Sequence, residues 1–208
     1  LKIYTSGCGG KKLDEIARLD MGILATPPEP LRTNWKEFSV ALDNGAFSCW
    51  MRGLPFMAEN FLNHIKSAHK SGCTIDFIVC PDIVAGGLRS LDFSLDWANS
   101  KHLISSSNLY LAVQDGMEPK HITPNIYKRF AGIFIGGTVE WKWKTAAEWV
   151  SFAHGLGKKC HIGRCGKIES LHRAREIGAD SVDSSNFARN DSFKTVERFE
   201  TEGVLALN

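Results

Sequence analysis

The sequence predicts an α/β protein and, within that class, a compact (β/α)8 barrel forming one domain over residues 1–208. Three observations predict it. Short apolar runs alternate with segments of helical period, as they do where helices cross between parallel strands. No linker, low-complexity tract or composition shift divides the chain. Five of the strand-like runs end in polar residues, and groups at the carboxyl ends of many strands converge only if those ends ring one mouth. An open doubly wound sheet would use only the few near its switch point. At 208 residues the barrel is small for its type, so some helices should be short or missing.

The elements follow in order. KIYT (2–5), FSVAL (38–42), FIVC (77–80), LYLAV (109–113), GIFIG (132–136), KKCHIG (158–163) and VLAL (204–207) read as strands. GADSVDSSNFAR (178–189) reads as a further short strand, with Asp180, Asp183 and Arg189 in a place that a buried strand would not choose for charge. Helical periodicity marks 56–70, 87–104, 145–156 and 168–178. Gly72, Gly155, Gly157 and Gly178 stand where helices stop, and Thr145 and Asp191 where they start.

Composition narrows the function class only a little. The chain is 43% hydrophobic and 23% charged, with a formal net charge of +2, so any case for a nucleic-acid partner rests on local clusters. No apolar run approaches the roughly 18 to 20 residues of a membrane span, and LKIYTSGCGGKK carries no signal-peptide pattern. The expected location is the cytoplasm, with no membrane partner. The six cysteines (8, 49, 73, 80, 160 and 165) form no C-x-x-C pair and the seven histidines no H-x3-H, so neither a zinc site nor a disulfide framework is expected.

The polar strand ends are Asp43-Asn44-Gly45, Pro81-Asp82, Gln114-Asp115-Gly116, Gly136-Gly137 and Asp183. Each has a plain structural reading. Asp43-Asn44-Gly45 is a good turn, Gly136-Gly137 permits a sharp bend, Gln114 can cap a loop, Asp82 after proline can begin a helix, and Asp183 with Arg189 can form a surface ion pair of little worth. Five of them at matched strand ends favour a site. Lys142 and Lys144 lie among Trp141 and Trp143, while Lys158, Lys159, Arg164 and Lys167 crowd the CHIGRCGK segment. Basic residues interleaved with aromatics suit a single-stranded or flipped nucleic acid, and equally a solvated helix start with tryptophans packed on the barrel.

In their order along the chain, from about residue 40 to 190, these motifs resemble the tRNA-guanine transglycosylase barrel. They resemble more closely its shorter relatives, the deazapurine DNA-modification transglycosylases (DNA-guanine transglycosylases) of phages and bacterial genomic islands. The resemblance implies a role for each residue. LDNGAF matches the motif that carries the general acid/base aspartate and a base-stacking aromatic, here Asp43 and Phe47. VCPD and AVQDG supply Asp82 and Gln114 to read the heterocycle, and IFIGGTVE lines its pocket with Gly136, Gly137 and Thr138. CHIGR supplies Ile162, on the face of the base opposite Phe47, and Gly163. DSSNFAR supplies the nucleophile Asp183 and Arg189, a phosphate anchor, and the basic clusters described above add Arg164 and Lys142 as expected nucleic-acid contacts.

The implied activity replaces guanine in DNA with a free 7-deazaguanine such as preQ0, through a covalent aspartyl-nucleotide and without a metal or other cofactor. A homodimer or helper proteins are compatible with it. The sequence also departs from the pattern. The tRNA enzymes carry a cysteine/histidine zinc subdomain, and these 208 residues hold no such cluster, which turns the expected polymer from tRNA to DNA. Asn44 replaces a serine, Asp115 replaces a glycine, and Glu140 does not align securely with the glutamate that reads an aminomethyl group on the base. Three alternatives follow: the same chemistry on tRNA, a non-catalytic nucleic-acid-binding subunit, and an unrelated phosphate-binding barrel enzyme. A pure scaffold needs neither Asp43 nor Asp183, and the last alternative calls for a glycine-rich phosphate loop near the final strands, where none stands.

Overall fold

Eight parallel strands close into a barrel in strict chain order, each hydrogen-bonded to the next and β8 to β1, in a computed structural model that describes residues 1–205. The strands are β1 Lys2–Ser6, β2 Gly22–Ala25, β3 Val40–Leu42, β4 Ile75–Val79, β5 Leu109–Val113, β6 Gly132–Ile135, β7 Lys159–Ile162 and β8 Ser181–Ser184. The helices are α1 Lys11–Arg18, α2 Ala46–Met51, α3 Ala58–Ser71, α4 Leu88–Ala98, α5 Pro124–Tyr127, α6 Val139–Gly155, α7 Ile168–Glu176, α8 Asn186–Arg189 and α9 Phe193–Leu205. The small size shows as expected: β2 is followed by a single 3-10 turn, Thr33–Trp35, and α5 spans four residues.

Alternation along each strand separates two apolar sets. Ile3, Ile23, Leu42, Leu111, Ile135, Ile162 and Val182 face outward into one continuous core against the helices. Tyr4, Leu24, Ala41, Phe77, Val79, Tyr110 and Ala112 face inward and fill the barrel, with Phe77 and Tyr110 stacked at 4.4 Å between centroids. The Tyr4 hydroxyl donates to Asp76 Oδ2 at 2.6 Å among these lower side chains, and burial pushes the phenol well above its ordinary pKa. With the lower lumen packed, the open space lies at the carboxyl ends of the strands.

Several expectations change. Gly22–Ala25 is a strand that the sequence does not announce: it is four residues long, contains Gly and Ala, and is extended by pairing on both sides with β1 and β3. The predicted strand at 204–207 is not one, since Val204 and Leu205 end α9, while 206 and 207 lie outside the described residues. A short apolar run fits either period. Helix α6 begins six residues before the predicted start. Its N-cap is Thr138, whose side chain accepts from Trp141 N, and Thr145 lies within the helix, donating to Trp141 O at 3.0 Å. Likewise, Asp191 occupies a turn at φ 57°, two residues before α9 starts. The charged stretch at 178–189 divides into β8 and the short α8.

Candidate active site

A cavity of about 930 Å³ opens at the carboxyl ends of the strands, and Asp43, Asp82, Gln114 and Asp183 all line it, with Gly136 and Gly137. Four strands (β3, β4, β5 and β8) end in these four polar side chains, and the closed sheet turns their ends toward one another.

Asp43 follows β3. Asn44 N donates to its Oδ1 at 2.9 Å, while Gly45, at φ 79°, turns the chain into α2. A Cβ at Gly45 would stand 2.8 Å from Pro27 Cγ, so this turn requires glycine. Burial raises the Asp43 carboxyl to about 7, with the charges of Asp183 and Asp82 adding to the shift and the amides of Asn44 and Gly45 opposing it. Asp43 therefore has the pKa of a group that can both give and take a proton near neutrality.

Asp82 is buried and bound on both oxygens. Asn44 Nδ2 donates to Oδ1 at 2.7 Å and Gln114 Nε2 donates to Oδ2. Gly137 N in turn donates to Gln114 Oε1 at 3.0 Å, so one hydrogen-bonded chain runs across the ends of β3, β4, β5 and β6. Burial lifts the Asp82 carboxyl to about 6 against these two amide donors. Gln114 keeps one amide hydrogen free, and each bonded oxygen of Asp82 keeps a second lone pair, which suits the polar edge of a heterocycle.

Asp183, on β8, is 8% exposed. His161 Nε2 lies 3.0 Å from its Oδ1 and Arg164 N donates to the same oxygen at 3.3 Å, while Oδ2 has no hydrogen-bond partner among the described residues. Asp183 and Asp43 thus share one cavity, close enough for the charge of one to shift the other.

The remaining expectations divide. Phe47 is on α2 at the cavity wall, 37% exposed, and the Arg164 guanidinium stands over its ring at 4.4 Å. Arg164 also donates to Gly137 O, so this cation covers the ring expected to stack on a base. Arg189 is exposed on the cavity wall and forms no ion pair with Asp183, which removes the plain ion-pair reading of these two residues.

Ile162 is a correction. Strand alternation turns it outward into the core with no exposed surface, so it cannot face a base, and the inward positions are His161 and Gly163. Gly163 sits beside the cavity without lining it, and its carbonyl accepts from Lys142. Lys142 is a second correction: it is 1% exposed, with its ammonium bonded to that carbonyl and 5.5 Å from the Trp143 centroid, out of reach of a phosphate. Burial pushes its pKa down. Thr138 is a third, because both its N–H and its hydroxyl donate to Asp115, and it caps α6 outside the cavity. Trp141 and Trp143 pack on the core, as the structural reading of that segment has it, and Glu140 is exposed away from the cavity wall. Lys158 and Lys159 stand at the amino end of β7, away from Arg164 and Lys167 at its carboxyl end, so the CHIGRCGK basic residues do not form one cluster.

His161 is the residue that the sequence reading missed. Its signal was present in KKCHIG, since a histidine two residues before an inward glycine shares that glycine's face. Gly137 carries a stability prediction. At φ 70° its Cβ would stand 2.5 Å from Trp141 Cε3 and 2.6 Å from Asp115 Oδ2. Gly137→Ala is expected to cost about 2 kcal/mol, read as a drop of several degrees in Tm by calorimetry. No protein-family model matches the chain, and no curated protein matches it.

Proposed function

We propose that this protein is a base-exchange transglycosylase that replaces guanine in DNA with a 7-deazaguanine such as preQ0, acting in the cytoplasm on DNA and free base. The observation that carries this reading is the pair Asp43 and Asp183 on one cavity, one a half-buried carboxyl raised to about 7 and the other a carboxylate with one oxygen unbonded among the described residues. Exchange of a base on an intact strand breaks an N-glycosidic bond and conserves the activated sugar, which a carboxylate achieves by attack at C1′. Asp183 attacks, C1′–N9 breaks, and the departing guanine takes up its electron pair and a proton from Asp43.

The electrostatics couple the two steps. Esterification removes the charge of Asp183, and that charge is one cause of the raised Asp43 pKa. Asp43 thus becomes a better proton donor as the ester forms, and remains as the carboxylate needed to take the N9 proton of the incoming base. Asp82, Gln114 and the Gly136-Gly137 backbone offer groups for the base edge, replacing the pairing lost when a base leaves the helix. Arg189, with Arg52 and Lys12 on the same cavity wall, supplies positive charge for phosphates.

Incubation of the protein with duplex DNA, single-stranded DNA and tRNA, each with labelled preQ0, tests the reading. Label is expected in DNA. Label in tRNA alone would move the activity to RNA, and label in no polymer would overturn it.

A further inference from the structure

His161 has no part in the exchange chemistry as described, yet its surroundings are built around one hydrogen bond to the nucleophile. The ring is fully buried inside the barrel, stacked on Phe134 at 4.8 Å and 13°, with Phe77 at 5.1 Å and Tyr4 at 5.9 Å. Its two nitrogens reach two residues of the neighbouring strand. Nε2 is 3.0 Å from Asp183 Oδ1 and Nδ1 is 2.8 Å from Ser181 Oγ. The register explains why: His161 pairs with Ser181 across the β7–β8 ladder, and Asp183 is the next inward position along β8.

The carboxylate partner places one ring proton. A carboxylate only accepts, so Nε2 carries a hydrogen, while the Ser181 hydroxyl, which can donate or accept, completes the bonding at Nδ1. The Arg164 amide adds a second donor to the same Oδ1, and among the described residues Oδ2 is left without a partner.

We propose that His161 is the positioning residue of the nucleophile: as the Nε2–H tautomer it holds Oδ1 of Asp183 and so presents Oδ2 as the attacking atom. This rests on the base-exchange reading. In the step itself the Oδ2–C1′ bond forms as C1′–N9 breaks, the base takes the bonding pair and the Asp43 proton, and His161 keeps its own proton throughout. Donation to Oδ1 makes that oxygen the poorer nucleophile and locks carboxylate rotation, which is where orientation is worth most.

Three substitutions separate positioning from packing. His161→Gln places an amide N–H near the Nε2 position, His161→Asn reaches only as far as Nδ1, and His161→Phe fills the space with no donor. The Phe and Asn variants are expected to lose kcat for base exchange by about 100-fold at unchanged KM for the free base, while Gln retains most of it. Thermal melts monitor folding, and the Gln–Asn pair suffices if the Phe variant does not fold. Equal losses in Gln and Asn, or a KM that rises as kcat falls, would overturn the proposal. Imidazole nitrogen NMR of the wild type gives a readout that needs no activity. An Nε2–H tautomer supports the assignment and an Nδ1–H tautomer overturns it, even if no polymer is labelled and the base-exchange reading alone falls.

Discussion

Asp183→Ala is expected to abolish base incorporation, with a loss of about 10⁴-fold or more, and to leave no covalent protein–DNA adduct on denaturing gels. The size of the effect follows from the proposed role. The remaining cavity groups can hold and read a base, but no other carboxyl is placed as Asp183 is: both oxygens of Asp82 accept from amides, Asp43 has the proton-transfer role, and Glu29 is exposed on the loop after β2. The fold should survive. Asp183 hydrogen-bonds through Oδ1 only, and its backbone carbonyl, which accepts from Cys165 N at 2.6 Å, is unaffected by the substitution. Normal incorporation by this variant would remove Asp183 from the chemistry.

Asp43→Asn is expected to act in two directions at once. Exchange should fall about 10²- to 10⁴-fold, because the amide neither protonates the leaving base nor accepts the N9 proton. Stability at pH 8 should rise. The Asp43 carboxyl titrates near 7 in the folded protein against an ordinary 3.8, so between these values the unfolded chain releases a proton that the folded chain retains. The folded state is therefore penalised as pH rises from about 4 to 7, and above 7 the full penalty is present. An asparagine escapes it. The gain is on the order of a few kcal/mol before discounting for the partial exposure of the site. Calorimetry should find the variant melting several degrees above wild type at pH 8, with the difference vanishing toward pH 4. A difference independent of pH would contradict the assigned burial cost.

The sequence disclosed the barrel through its strand ends more than through the strands themselves. Asp43, Asp82, Gln114, Gly136, Gly137 and Asp183 stand on one cavity because each lies at or just beyond the carboxyl end of a strand, and that was legible from chain order alone. The misses share a physical cause, the face on which a residue lies. Ile162 and His161 differ by one position in a strand of period two, so a reading placed one residue out exchanges barrel interior for outer core. Lys142 is a lysine in a helix that starts earlier than its strongest periodicity suggests, and burial against Gly163 O is a tertiary fact with no local mark. Gly22–Ala25 is held extended by its two neighbours, which a single-chain pattern does not contain.

The amide chain from Asn44 through Asp82 and Gln114 to Gly137 occupies four consecutive strand ends, while Asp183 and His161 stand on the last two strands of the circle. In the proposed reading, the groups for the base edge and the nucleophile thereby stand on separate arcs of the rim, with the proton carrier Asp43 in the first, at the end of β3. Under that reading, exchanging Gln114 alone would alter the heterocycle taken while Asp183 and His161 keep their places, so a barrel of this design could acquire new alphabets without relearning its reaction.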